Sequence, residues 1–188
     1  MNGEHKRDIG TSNRPLAILS EGEWKSLQIP YLEAANFISD ARHLIVSLGG
    51  ELGLTLPFVE RYEPKKLGLV FLEENARRDQ EGMPRSERLA LAELLSQPQA
   101  PPVTFSIGDM VGLAVYSLDF ARSAQASVTA LAIGAKPHAL AFGIACLAQD
   151  NMEVVCRVPG GYRPLDVQPS GRLYFYEVED RFEPTAYL

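Results

Sequence analysis

Short apolar runs, each closed by glycine, proline or charge and separated by stretches of helical periodicity, restrict this chain more than any other feature. "HLIVSLGG" (residues 43–50), "KKLGLVFLEE" (65–74), "PVTFSIGD" (102–109), the run that enters "IGAKPHA" (133–139) and "MEVVCRVP" (152–159) have strand length and little alternation. Continuous apolar runs of that length suit strands buried on both faces of a parallel sheet. Between them, "SERLALAELLSQ" (86–97) predicts a helix with Ser86 as its cap and Leu91, Leu94 and Leu95 on one face, and "MVGLAVYSLDFARSA" (110–124) predicts another. Strands alternating with helices at this spacing imply βαβ units. The expected fold is therefore α/β, a Rossmann-like three-layer sandwich with a mostly parallel sheet. The units are too few for an eightfold barrel.

The flanking segments add three expectations. Residues 1–14 are polar without period and predict a flexible arm, leaving 15–188 as a single domain. "EGEWKSLQIPYLEAANFISDARH" (21–43) predicts an amphipathic helix through Leu32, Ala35, Phe37 and Ile38, with Pro30 in its first turn. "GRLYFYEVED" (171–180) alternates as a final strand would, antiparallel or at an edge, and "ENARRDQEGMPRSE" (74–87) reads as an exposed loop.

Composition excludes several function classes. With 46% hydrophobic and 22% charged residues in 188, the chain has the balance of a globular protein with a real core. Its formal charge of −6 repels phosphate backbones and anionic lipid surfaces, so duplex nucleic acid is disfavoured as a partner. Cys146 and Cys156 have neither CxxC spacing nor a histidine cluster, so no metal is expected and both read as small buried hydrophobes. No apolar run approaches the roughly 18 residues that a membrane span needs, and the polar start is unlike a secretory signal. A cytoplasmic protein with no membrane partner is expected.

In open α/β sheets, ligands bind beyond the carboxyl ends of the strands, where glycines bring the backbone close and helix amino termini favour anions. That rule selects three loops. "SLGGELG" (47–53) offers Ser47, Gly49, Gly50 and Glu51, the last as acceptor for a ribose hydroxyl, as general base, or as a solvated side chain in a plain turn. "SIGDM" (106–110) offers Ser106 and Gly108, with Asp109 placed to cap the next helix. "IGAKPHA" offers Gly134, Lys136, Pro137 and His138. Lys136 falls at a helix start, where a cation opposes the macrodipole, and an anionic ligand would explain it. The plain alternative is a lysine reaching solvent and a histidine packed at the helix end. Pro137 suits the first helical position, and His138 could hydrogen-bond or titrate near neutrality. "RVPGGYRPLDVQPSG" (157–171), with Arg157, Tyr162, Arg163 and Asp166, either closes over a ligand or connects strands. Neither a G-x-G-x-x-G nor a G-x-x-x-x-G-K-[ST] signature occurs, and there is no G-x-S-x-G elbow; no cofactor is implied.

"ALAIGAKPHALAFGIA" resembles the strand-to-helix segment of CARF-type Rossmann domains, which carry a G-x-x-K-P or G-T-K-P loop beside a cyclic oligonucleotide, and "IVSLGGELG" is similar to the opposite loop of that pocket. The resemblance covers residues 42–159 and carries over to Ser47, Gly49, Gly50, Gly134, Lys136 and Pro137. The family's threonine before the lysine is Ala135 here, which removes one hydroxyl contact. It implies a stand-alone sensor, or a subunit of a prokaryotic defence assembly whose effector is another chain.

The leading expectation is thus a non-catalytic sensor or regulatory subunit that binds a nucleotide or other phosphorylated small molecule, as a homo-oligomer or with a separate effector protein. One alternative is a hydrolase or transferase acting on such a substrate, with Glu51 or His138 as base and Lys136 stabilising charge. The other is a structural subunit that binds a partner protein through an apolar helix face and its aromatic tail.

Overall fold

A strand buried from end to end must lie inside a sheet covered on both faces. Leu44, Ile45, Val46, Ser47 and Leu48 are all buried, and so are Leu67, Leu69 and Val70, and Val128 through Leu131. These runs form the centre of the fold. The structure, a computed structural model, describes residues 3–4, 20–21, 25–28, 41–48, 52–73, 85–97, 100–133, 135–158, 160–162, 168–169, 173 and 175–177. Among them the order is β1 (Gly3–Glu4), β2 (Ser20–Glu21), β3 (Lys25–Gln28), β4 (Arg42–Leu48), α1 (Leu52–Tyr62), β5 (Lys66–Leu72) and α2 (Arg85–Ser96). It continues with β6 (Val103–Phe105), α3 (Met110–Arg122), β7 (Ser127–Ala132), α4 (Lys136–Leu147), β8 (Met152–Val158), β9 (Gly161–Tyr162) and β10 (Gln168–Pro169).

The main sheet has the order β3-β8-β7-β4-β5-β6. Its five strands from β8 to β6 are parallel, and β3 is added antiparallel along β8, with Lys25 opposite Val158 and Gln28 opposite Val155. The expected α/β, Rossmann-like sandwich is the fold observed. Val59 of α1 and Ala90 and Leu94 of α2 pack with Leu44, Val46, Leu67, Leu69 and Leu131 on one face. On the other, Leu113, Phe120 and Ala121 of α3 and Ala141, Phe142 and Ala145 of α4 pack with Ile45, Val70, Val128 and Ala130. Each large side chain buried this way contributes about 1.5–3 kcal/mol. Gly68 leaves room for the Phe120 ring, whose Cε2 would lie 3.0 Å from a Cβ at that position.

Three local expectations are corrected. Residues 25–28, placed in a helix by the sequence, form β3; the ladder to β8 overrides the local pattern, and the part of that helix from 29 to 40 lies outside the described residues. The antiparallel edge strand therefore comes from the amino-terminal side: Leu173, Phe175, Tyr176 and Glu177 are not in strand conformation. Ser86 lies within the first turn of α2, which begins at Arg85, and does not precede it. Two short ladders, β2 with β9 and β1 with β10, also pair the amino-terminal segment with the segment after β8, so Gly3–Glu4 of the expected arm is in a strand. The loop read over 74–87 lies outside the described residues up to 84.

Candidate functional site

The strand order places a reversal between β4 and β7. From β4 the chain moves outward through α1, β5, α2 and β6, then α3 returns it to β7 on the other side of β4. Loops leaving two such strands diverge to opposite faces, and the gap at their carboxyl ends is where doubly wound sheets take ligands. Ser47, the sixth residue of β4, is paired in register with Ala132, the last of β7.

One hydrogen bond joins the two halves of this gap. Ser47 Oγ lies 2.8 Å from His138 Nδ1, between residues 91 positions apart, and both side chains are fully buried. Alternation along β4 turns Ser47 toward the α3–α4 face, and α4 brings His138 down on it from its first turn. The hydroxyl donates when the imidazole proton is on Nε2 and accepts when it is on Nδ1. Either way the pair sets the amino terminus of α4 against the end of β4. Burial makes this a positioning contact: neither group faces solvent where a substrate could meet it.

The two helix amino termini on this face differ. Asp109 caps α3, accepting from the Gly112 amide at 2.9 Å, as its place in the sequence implies. The carboxylate neutralises that positive helix end. At α4 the cap position is Ala135, in extended conformation, with no side-chain hydrogen bond and no acidic residue in the first turn. Lys136 is the first helical residue and is exposed, and Pro137 follows it, one position later than the sequence implied, buried and without an amide hydrogen to offer. The His138 amide turns back to the Ala135 carbonyl at 2.9 Å.

Of the remaining expected site residues, Ser106 and Gly108 lie in the turn before α3, where the Ser106 carbonyl accepts from the Asp109 amide at 3.0 Å. The Tyr176 hydroxyl donates to the Ile107 carbonyl at 3.1 Å, fastening the carboxyl-terminal segment to that turn. Gly49, Gly50, Glu51 and Gly134 lie outside the described residues, as do Arg163 and Asp166. Arg157 belongs to β8, not to the loop after it.

A second polar chain, buried only at Thr129, has no counterpart among the sequence expectations. Tyr62, at the end of α1, donates to Thr129 Oγ1 at 2.7 Å, and Thr129 donates to Glu153 Oε1 at 2.6 Å. The Arg42 guanidinium sits 5.1 Å over the Tyr62 ring. Burial is the main cause holding the Tyr62 hydroxyl above its usual range; the Thr129 hydrogen bond and Arg42 oppose the shift and Glu153 adds to it. The only trace in the sequence is a threonine inside an apolar strand, a residue that also reads as an ordinary strand former. This chain crosses the α1–α2 face nearer the amino ends of the strands, away from the β4–β7 gap.

Cys146 is buried as expected, donates to the Met152 carbonyl at 3.0 Å, and is pushed up to about 11, first by burial and then by Glu153. A thiol in that state is a poor nucleophile and a poor metal ligand. Among the described residues no three His, Cys, Asp or Glu side chains converge as a metal site, and no helix is long and apolar enough to cross a membrane.

Fold and site together define a doubly wound α/β protein with an uncapped helix amino terminus at its strand-order reversal. Comparison with known proteins gives no match: no family model, no curated protein and no solved structure matches the chain.

Proposed function

We propose that this chain is a ligand-binding subunit that takes a small anion, a nucleotide or another phosphorylated molecule, at the carboxyl edge between β4 and β7. The observation that carries this reading is the amino terminus of α4, held at the strand-order reversal by the Ser47–His138 bond and left without a side-chain cap or an acidic first turn. Such a terminus favours negative charge. The neighbouring α3 is closed to an anion by its own aspartate. Lys136 adds positive charge at the rim, and the CARF-type resemblance of the same loops extends the reading to a sensor whose response is passed to a second protein.

The test is a melting-temperature screen against linear and cyclic nucleotides and inorganic phosphate, with Ala135→Asp as the control. At a ligand concentration about a hundred times Kd, binding to the native state contributes about 2.7 kcal/mol, or about 5–10 °C for a chain of this length. Ala135→Asp places a capping carboxylate at α4, so it raises the melting temperature of the free protein and removes the ligand shift. No shift with any compound, or a shift that survives Ala135→Asp, overturns the reading.

A further inference from the structure

We propose that α4 is the contact surface of a two-fold homodimer, packing antiparallel on the α4 of a second copy. The inference rests on the outward side of the helix and shares only Lys136 with the ligand reading. A helix with an apolar face toward the core normally carries polar residues on the opposite side. In α4 the core face is Pro137, His138, Ala141, Phe142, Ala145 and Cys146, yet the opposite side is apolar too. Leu140 is 48% exposed and Leu147 is 74% exposed, with Gly143 between them; Lys136 begins the row and Asp150 lies just past its end. The spacing 136, 140, 143, 147 keeps these residues in one stripe, the pattern by which two helices pack along a shared seam.

The charges at the ends of the stripe choose the occupant. Lys136 stands at the positive end of its helix and Asp150 beyond the negative end, so each opposes the macrodipole of its own α4. Turning a second copy through 180° about an axis near Gly143 reverses both relations. Leu140 then meets Leu147 of the second copy, and Lys136 comes to the carboxyl end of the second helix, beside its Asp150. The same patch serves both subunits, as a two-fold interface requires, and glycine at the centre lets the helices approach closely. Val111 and Val115 on the neighbouring α3, 67% and 51% exposed, widen the apolar patch. These four side chains expose on the order of 400 Å2, about half of the 800 Å2 per partner that a stable interface buries.

Sedimentation velocity on the full chain, from labelled protein at nanomolar concentration to the solubility limit, tests this. A species of twice the 20.7 kDa chain mass is expected, and Leu147→Glu, a change at an exposed position, should abolish it while circular dichroism and the monomer's melting curve stay native. Lys136→Glu should raise the dimer Kd roughly tenfold, and adding Asp150→Lys should restore it. The single variant has a second readout: in dilute monomer its melting temperature rises, because glutamate suits the helix start, so a weaker dimer with a more stable fold is the signature expected. A chain that stays monomeric to the solubility limit overturns the proposal, as does a dimer indifferent to Leu147→Glu and to Lys136→Glu alone. A ligand shift that persists in monomeric Leu147→Glu leaves the ligand reading standing while the dimer is lost, so the two proposals fail separately.

Discussion

Ser47 and His138 are joined by a 2.8 Å hydrogen bond between two fully buried side chains, and through it the end of β4 fixes the start of α4. Removing one partner leaves a buried polar atom without this bond, which costs about 1–3 kcal/mol, whereas replacing both with apolar groups of similar size costs less than the sum. In urea unfolding, Ser47→Ala and His138→Leu are each expected to lower stability with little change in slope, and the double variant should recover about 0.5–3 kcal/mol relative to additivity. Strict additivity would mean that the two side chains are not coupled.

The Tyr62–Thr129–Glu153 chain predicts how stability changes with alkali. Because burial holds the Tyr62 hydroxyl above its ordinary value of 10.0, the folded protein keeps that proton longer than the unfolded chain does. Its contribution is therefore complete below about pH 10 and is lost as pH rises through the higher folded-state value. Tyr62→Phe should flatten this part of the stability profile. Thr129→Val removes the link between the other two groups and is expected to cost about 1–3 kcal/mol at neutral pH, measured by denaturant unfolding. An alkaline profile unchanged by Tyr62→Phe would assign the fall to another group, of which the half-buried Tyr116 is one, raised by burial alone.

Much of this architecture was legible in the sequence, for reasons visible in particular residues. β4, β5, β7 and β8 are buried runs with no partner-dependent ambiguity, so local composition identifies them. β3 was misread because it lies at the sheet edge, where pairing of Lys25–Gln28 with Val155–Val158 decides its conformation and nothing in the segment records that pairing. α1 escaped notice because Pro57 interrupts its pattern. For the site, Ser47 and His138 were each legible from a loop after a strand, but their contact, 91 positions apart, exists only once β4 and β7 lie side by side. The Thr129 chain was not legible at all, since a threonine in a strand looks the same whether or not it bridges a tyrosine and a glutamate.

The amino terminus of α3 gives a prediction in which the effect of one substitution depends on its neighbour. The Asp109 carboxylate occupies the space where a Cβ on Gly112 would stand: Oδ2 and Oδ1 lie 2.5 Å and 2.6 Å from that position, and Oδ1 accepts from the Gly112 amide. Glycine in a helix normally loses about 1 kcal/mol relative to alanine. Here that gain should be cancelled or outweighed, because the new methyl displaces the cap, worth about 0.5–2 kcal/mol. Asp109→Ala should lose the same cap directly. Once that carboxylate is gone the space is open, so Gly112→Ala made in the Asp109→Ala background should stabilise by about 1 kcal/mol. Thermal unfolding of the four proteins reads this as a difference of about 0.5–2 kcal/mol in the Gly112→Ala effect between the two backgrounds. A Gly112→Ala effect equal in the two backgrounds would show that the new methyl leaves the Asp109 cap intact.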